Sequence, residues 1–222
     1  AIRPGSVGRH RTCFEPDHHG EQFYSVDLCA ERQLNDMAHP LELQRGPIDG
    51  PLMVRPRRFG DDRGHFSETW RQAHFEEAIG SQVQFVQDNE SVSGTGVLRG
   101  LHFQVPDRAQ GKLVRVARGA ALDVAVDLRK GSPTYGQHQT ALLSEENRWQ
   151  FWIPKGFAHG FLTLEPNTVF CYKCTEVYSP NHEGSLLWND PDLNIDWGTT
   201  APLLSEKDVK APSFADFQSP FT

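Results

Sequence analysis

From residue 83 to residue 178 the chain is a succession of short strand-like runs broken by Gly, Pro and Asn, and this texture constrains the fold more than any other feature. The runs fall at 83–86, 97–104, 112–117, 121–128, 138–143, 150–153, 160–164 and 168–178. Several short strands at such spacing favour a sandwich or barrel over a parallel α/β sheet. One short amphipathic helix is predicted over 67–79, where Trp70, His74, Phe75, Ala78 and Ile79 recur at near-helical spacing. The expected architecture is mainly β, a jelly-roll barrel with a few short helices.

A length of 222 residues suffices for one well-cored domain. Residues 1–46 are polar, rich in histidine and without period, and read as an N-terminal extension. The texture changes at Gly50-Pro-Leu-Met-Val-Arg, so the domain is expected over 47–222, with Arg58-Phe-Gly-Asp-Asp-Arg-Gly64 as a turn. No apolar run reaches the length of a membrane span, and the N-terminus lacks the apolar centre of a signal peptide, which predicts a cytoplasmic protein. The net charge of −7 argues against nucleic-acid binding. A small anionic ligand is compatible with it if Arg57, Arg58, Arg63, Arg99, Arg108, Lys112 and Arg115 act locally.

Cys171-Tyr-Lys-Cys174 has the form of a redox or metal motif. It sits in a predicted strand, where positions three apart face opposite ways, so it reads as structural. Cys13, His18, His19 and Cys29 fit no trusted ligand spacing.

The chemistry concentrates in Arg99-Gly-Leu-His102-Phe-Gln104 and the following Lys112-Leu-Val-Arg115. An imidazole that titrates near neutral pH and an ammonium that holds an oxyanion suit proton abstraction beside a carbonyl. Alternation puts His102 on one face with Gln104, Lys112 with Val114 and Val116, and Tyr172 with Cys174, Glu176 and Tyr178. It also sets Asp123 and Asp127 opposite Val124, Val126 and Leu128, on a face lining either solvent or a site. In the tail, Ser205 and Asp208 have the spacing of a helix cap.

Pro154-Lys-Gly-Phe-Ala-His159 resembles the P-x-G-x-x-H element of the cupin superfamily, whose barrels often hold a metal. Gln104 stands where such proteins carry a second histidine, and no downstream glutamate is evident. Two histidines without a carboxylate make a poor metal site. The barrel is therefore expected to be free of metal and cofactor, with His159 hydrogen-bonding a ligand.

Together, Phe59-Gly-Asp-Asp-Arg63-Gly, Phe85-Val-Gln87-Asp-Asn89, Leu98-Arg99-Gly-Leu-His102-Phe-Gln, Gln110-Gly-Lys112-Leu-Val-Arg, Asp123-Val-Ala-Val-Asp-Leu-Arg129-Lys-Gly-Ser-Pro-Thr, Trp152-Ile-Pro-Lys-Gly-Phe-Ala-His159-Gly-Phe and Tyr172-Lys-Cys-Thr mark a family. From about Gly50 to Trp197 the chain strongly resembles the dTDP-4-dehydrorhamnose 3,5-epimerases, cofactor-free cupin-fold enzymes of dTDP-L-rhamnose synthesis. The resemblance implies that His102 removes the protons at C3 and C5 of a 4-keto sugar, with Asp208 orienting its ring. It implies Lys112 at the C4 enolate oxygen and Tyr172 as proton donor on the opposite face. Arg63, Glu68, Gln87, Asn89, Arg99, His159, Glu183 and Lys207 are implied as substrate or nucleotide contacts, and Tyr178 as a platform for thymine. A homodimer exchanging N-terminal strands is also implied, with Arg63 and Glu68 serving the neighbouring subunit.

The chain departs from the family pattern at Glu90, Val92 and His65; the first two lower positive charge near the implied nucleotide region. Relatives that invert C3 alone or C5 alone share these motifs, and a sugar-nucleotide-binding cupin without catalysis is a further alternative. The joint presence of His102, Lys112, Tyr172 and Asp208 argues against the latter.

Overall fold

The computed structural model describes residues 40–222. Cys13, His18, His19 and Cys29 lie outside the described residues, as does most of the predicted extension. Two antiparallel sheets make the body. One runs from edge to edge as β1 (Leu41–Arg45), β2 (Leu52–Pro56), β10 (Gln150–Ile153), β7 (Lys112–Arg118), β12 (Thr168–Cys174) and β5 (Gln87–Ser93). The other runs β13 (Glu183–Ser185), β6 (Leu98–Gln104), β11 (Phe157–Thr163), β8 (Ala120–Asp127) and β9 (His138–Ser144). A separate hairpin pairs β3 (Arg58–Asp61) with β4 (Gly64–Ser67).

Three apolar clusters explain why the sheets stack as they do. Met53, Val114, Val116, Phe151 and Phe170 from the first sheet meet Ala121, Ala125, Leu143, Phe157 and Phe161 from the second, forming the core of the mainly β, jelly-roll-type body. The outward face of the second sheet is apolar too: Leu98, Leu101, Val124, Val126 and Leu162 pack under Leu186, Trp188, Leu193, Trp197 and Phe221 of the C-terminal segment. The helix α1 (Gln72–Ile79) covers the outward face of the first sheet, setting Phe75 and Ala78 on Leu52, Val54, Leu113 and Trp152. Both faces of each sheet therefore bury hydrophobic surface at about 25 cal/mol per Å² of apolar area.

Several local expectations change. The predicted strand at 83–86 is absent; Phe85 instead packs edge-on to Trp70 and Trp152, and the strand begins at Gln87. Arg58 to Gly64 is part of a hairpin rather than a turn alone, with Phe59 opposite Phe66. The helix starts at Gln72 because Ser67 belongs to β4, where its hydroxyl donates to the Arg57 carbonyl. Residues 41–45, at the end of the predicted extension, pair with β2 along their length. The strand predicted over 168–178 stops at Cys174, so Tyr178 does not share a strand face with Tyr172.

β8 is buried on both faces, so Asp123 and Asp127 meet no bulk solvent. Burial pushes the Asp127 carboxyl up, but hydrogen bonds from Arg129, Ser132 and Thr134 outweigh it and bring the pKa to about 2. Cys171 and Cys174 are free thiols on opposite sides of β12, Cys174 being buried. No helix among the described residues is long and apolar enough to cross a membrane.

Candidate active site

Gly100 and Gly160 bring β6 and β11 together where the site forms. Gly100 has a φ of +125°, and a Cβ there would lie 2.5 Å from the Gly160 Cα and 2.8 Å from the His159 carbonyl oxygen. Only glycine fits such an approach. The register shifts at this point, setting His159 opposite His102 and Phe161 opposite Arg99. A cavity of about 460 Å³ opens beside them, lined by Arg99, His102, Lys112, His159, Phe161 and Tyr172, with Leu203, Leu204, Ser205 and Asp208 closing the C-terminal side.

The catalytic candidates converge here from distant segments. The Nε2 atom of His102 lies 2.6 Å from Asp208 Oδ1, and Ser205 donates its hydroxyl to Asp208 Oδ2 at 2.8 Å. Ser205 also caps the short helix α2 (Glu206–Val209), accepting from the Asp208 backbone N–H. Capping and ring orientation, separate explanations of Asp208 in sequence, thus occur together. Burial raises the Asp208 carboxyl, yet the bonds from His102 and Ser205 hold it below the ordinary value. An ionised carboxylate accepts only, so the His102 Nε2 that meets it carries a proton, and Nδ1 is the ring nitrogen that Asp208 leaves unengaged.

Lys112 begins β7, lines the same cavity, and forms no ion pair among the described residues. Burial lowers its pKa, opposed by Cys174, Asp123 and Glu183. An unpaired ammonium in a partly dehydrated cavity stabilises developing negative charge better than one already neutralised. Tyr172 on β12 is half-buried, and burial raises its phenol, which keeps it protonated as a donor.

Around this centre, Arg99 donates to Ser93 Oγ at 3.1 Å. Gln87 and Asn89 lie on the inward face of β5, Asn89 directly opposite Tyr172. The Gln87 side chain accepts the Tyr178 backbone N–H at 2.8 Å and donates to Asn89. At the rim, the Tyr178 hydroxyl donates to Glu183 at 3.0 Å, and Lys207 pairs with the same carboxylate. Tyr178 is 53% exposed, which leaves its ring free to stack. Glu90 and Val92 point outward from β5, away from Gln87 and Asn89, so these departures do not alter the inward face.

Arg63 and Glu68 are not brought to the cavity. Arg63 pairs with Asp61 at 2.5 Å in the β3–β4 hairpin, and Glu68 pairs with Arg71 at 2.6 Å. His65 lies 3.2 Å from an Arg148 nitrogen.

Among the described residues no three His, Cys, Asp or Glu side chains gather as metal ligands. His102 and His159 each commit Nε2 to a carboxylate, while the Gln104 amide binds Arg108, Val177 and Ser179 backbone atoms. Asp123, the partner of His159, was legible only as a polar position on an alternating strand.

The family model for dTDP-4-dehydrorhamnose 3,5-epimerase matches residues 45–216. The chain is 54% identical over 177 residues to dTDP-4-dehydrorhamnose 3,5-epimerase of Pseudomonas aeruginosa, covering 79% of this chain and 97% of that one. It superimposes on the crystal structure of the Elizabethkingia anophelis enzyme of that name with a TM-score of 0.77 and 47% identity, over 80% of this chain and 98% of the other. A dTDP-6-deoxy-D-glucose-3,5-epimerase from Legionella pneumophila, solved with dTDP-4-keto-L-rhamnose, gives a TM-score of 0.77 at 46% identity, covering 80% and 95%.

Proposed function

The chain belongs to the dTDP-4-dehydrorhamnose 3,5-epimerase family, and from that premise we propose that it epimerises dTDP-4-dehydro-6-deoxy-D-glucose at C3 and C5 to dTDP-4-dehydro-L-rhamnose. It is an isomerase. The observation that carries the reading is the meeting of the His102–Asp208 pair, Lys112 and Tyr172 in one cavity.

His102 Nδ1 removes the proton from carbon beside the C4 ketone, and Asp208 stabilises the imidazolium that results. Lys112 faces the C4 oxygen as charge accumulates there. Tyr172 returns a proton from the opposite face, which completes inversion; without it the base restores the original configuration. Proton exchange with water then returns His102 to neutral imidazole and Tyr172 to phenol, and the same cycle at the second carbon gives the L-configured product. Arg99, Gln87, Asn89, Lys207 and Glu183 bind the substrate, His159 binds its sugar, and Tyr178 stacks on thymine.

The active unit in this reading is a homodimer whose partner receives Arg63 from the β3–β4 hairpin and Glu68 from the residue that follows it. Two facts support it. These residues lie outside their own cavity, and the cross-strand pair Phe59 and Phe66 is 54% and 68% exposed, an apolar surface suited to burial against another subunit. The proposed location of the reaction is the cytoplasm.

The direct test is incubation of the purified chain with dTDP-4-dehydro-6-deoxy-D-glucose and identification of the product by NMR. Formation of the L-rhamno product supports the reading; recovery of unchanged substrate contradicts it.

A further inference from the structure

His159, which lines the cavity, belongs to a second His–Asp pair for which the proposed proton transfers have no use. Asp123 is fully buried on β8, with Oδ2 2.9 Å from His159 Nε2 and Oδ1 without a hydrogen-bond partner among the described residues. His159 faces His102 across β11 and β6, and its ring lines the cavity beside Lys112. No other hydrogen bond reaches it, so its Nδ1 has no protein partner among the described residues.

With one proton between these groups, ionised Asp123 accepts from Nε2–H and Nδ1 keeps a lone pair. With two, either protonated Asp123 donates to Nε2 and Nδ1 carries the other hydrogen, or an imidazolium faces the carboxylate. Lys112 decides among them. Its ammonium, unpaired in the same cavity, favours a carboxylate at Asp123 and disfavours a positive ring at His159. Burial raises the Asp123 carboxyl, and the pull of His159 and Lys112 reverses only part of that, while burial also keeps His159 neutral. The 2.9 Å contact with Nε2 and the Lys112 side chain in the same cavity are the geometric grounds for the ionised carboxylate.

We propose that Asp123 is a positioning residue that locks His159 as the neutral Nε2–H tautomer, so that Nδ1 accepts a hydrogen bond from a hydroxyl of the substrate's sugar. The inference rests on the epimerase reading for the identity of the sugar. It also divides labour within the cavity. A ketone oxygen has no proton to give, so His159 binds hydroxyl and leaves the C4 oxygen to Lys112.

The tautomer is measurable without substrate, by nitrogen NMR of protein labelled with ¹⁵N-histidine at neutral pH, with His159→Gln used to assign the signals. The expected result is a protonated Nε2 and a bare Nδ1 at His159. A proton on Nδ1, alone or with one on Nε2, overturns the proposal. A second measurement uses Asp123→Asn, which removes the charge at nearly constant shape. Its affinity for the dTDP-4-keto-6-deoxyhexose should fall about tenfold, the value of one hydrogen bond, while its Kd for dTDP stays at the parent value. Equal sugar-nucleotide binding by a folded Asp123→Asn protein also overturns it. A parent protein that fails to bind dTDP speaks against the epimerase reading and leaves the tautomer measurement to stand by itself.

Discussion

Asp208 and His102 are 106 positions apart in sequence, and their side chains meet at 2.6 Å. The contact forms because the C-terminal segment folds back over the second sheet and joins it: Leu203 accepts from the Leu98 backbone N–H at 3.0 Å and donates to Gly96 at 2.7 Å. Ser205 then starts the helix that carries Asp208. The His102 ring is thus oriented by an element whose own position depends on apolar packing far from the cavity.

Asp208→Asn should lower kcat about 10²-fold or more while the protein stays folded, because the amide no longer stabilises the imidazolium. Steady-state kinetics alongside thermal unfolding will check this. A kcat within a few-fold of the parent would remove Asp208 from the mechanism.

Lys112→Met should also lower kcat, by about 10² to 10³, the loss seen on removing one donor from an oxyanion site. An effect confined to KM would make Lys112 a phosphate anchor instead.

Tyr172→Phe should uncouple exchange from inversion. With His102 intact, substrate hydrogen will still exchange with deuterated solvent, but little epimer will form. Inversion at the parent rate would show that another group donates the proton.

Asp127 governs a separate, structural prediction. Its folded pKa of about 2 lies below the ordinary carboxylate value, so its stabilising contribution is complete above about pH 4 and is lost as pH falls through about 2. Asp127→Asn should therefore be less stable at pH 7 by about 2 kcal/mol, and the gap should narrow on acidification. Urea unfolding across that pH range is the measurement; a constant gap would rule out the assignment.

The body of the fold was legible because alternating apolar runs bounded by Gly and Pro report sheets directly, and seven of the described strands overlap predicted runs. The catalytic candidates were legible through motifs, not periodicity. What periodicity missed has physical causes. β8 is buried on both faces, so alternation marked Asp123 as polar without revealing its pairing with His159. Phe85 looked like strand but was taken by the aromatic cluster with Trp70, Phe75 and Trp152. Tyr178 lay beyond the end of β12, where Gln87 captures its backbone. None of these tertiary choices leaves a local signal.

The proposed reaction turns on the fate of two carbon-bound hydrogens. Parent enzyme and His102→Asn should each be incubated with dTDP-4-dehydro-6-deoxy-D-glucose in deuterated water and followed by proton NMR. A two-centre epimerase mechanism with His102 as base gives deuterium at both C3 and C5 with inversion at each in the parent, and neither exchange nor inversion in His102→Asn. Deuterium at C3 alone in the parent, or turnover in His102→Asn within a few-fold of the parent, would contradict it.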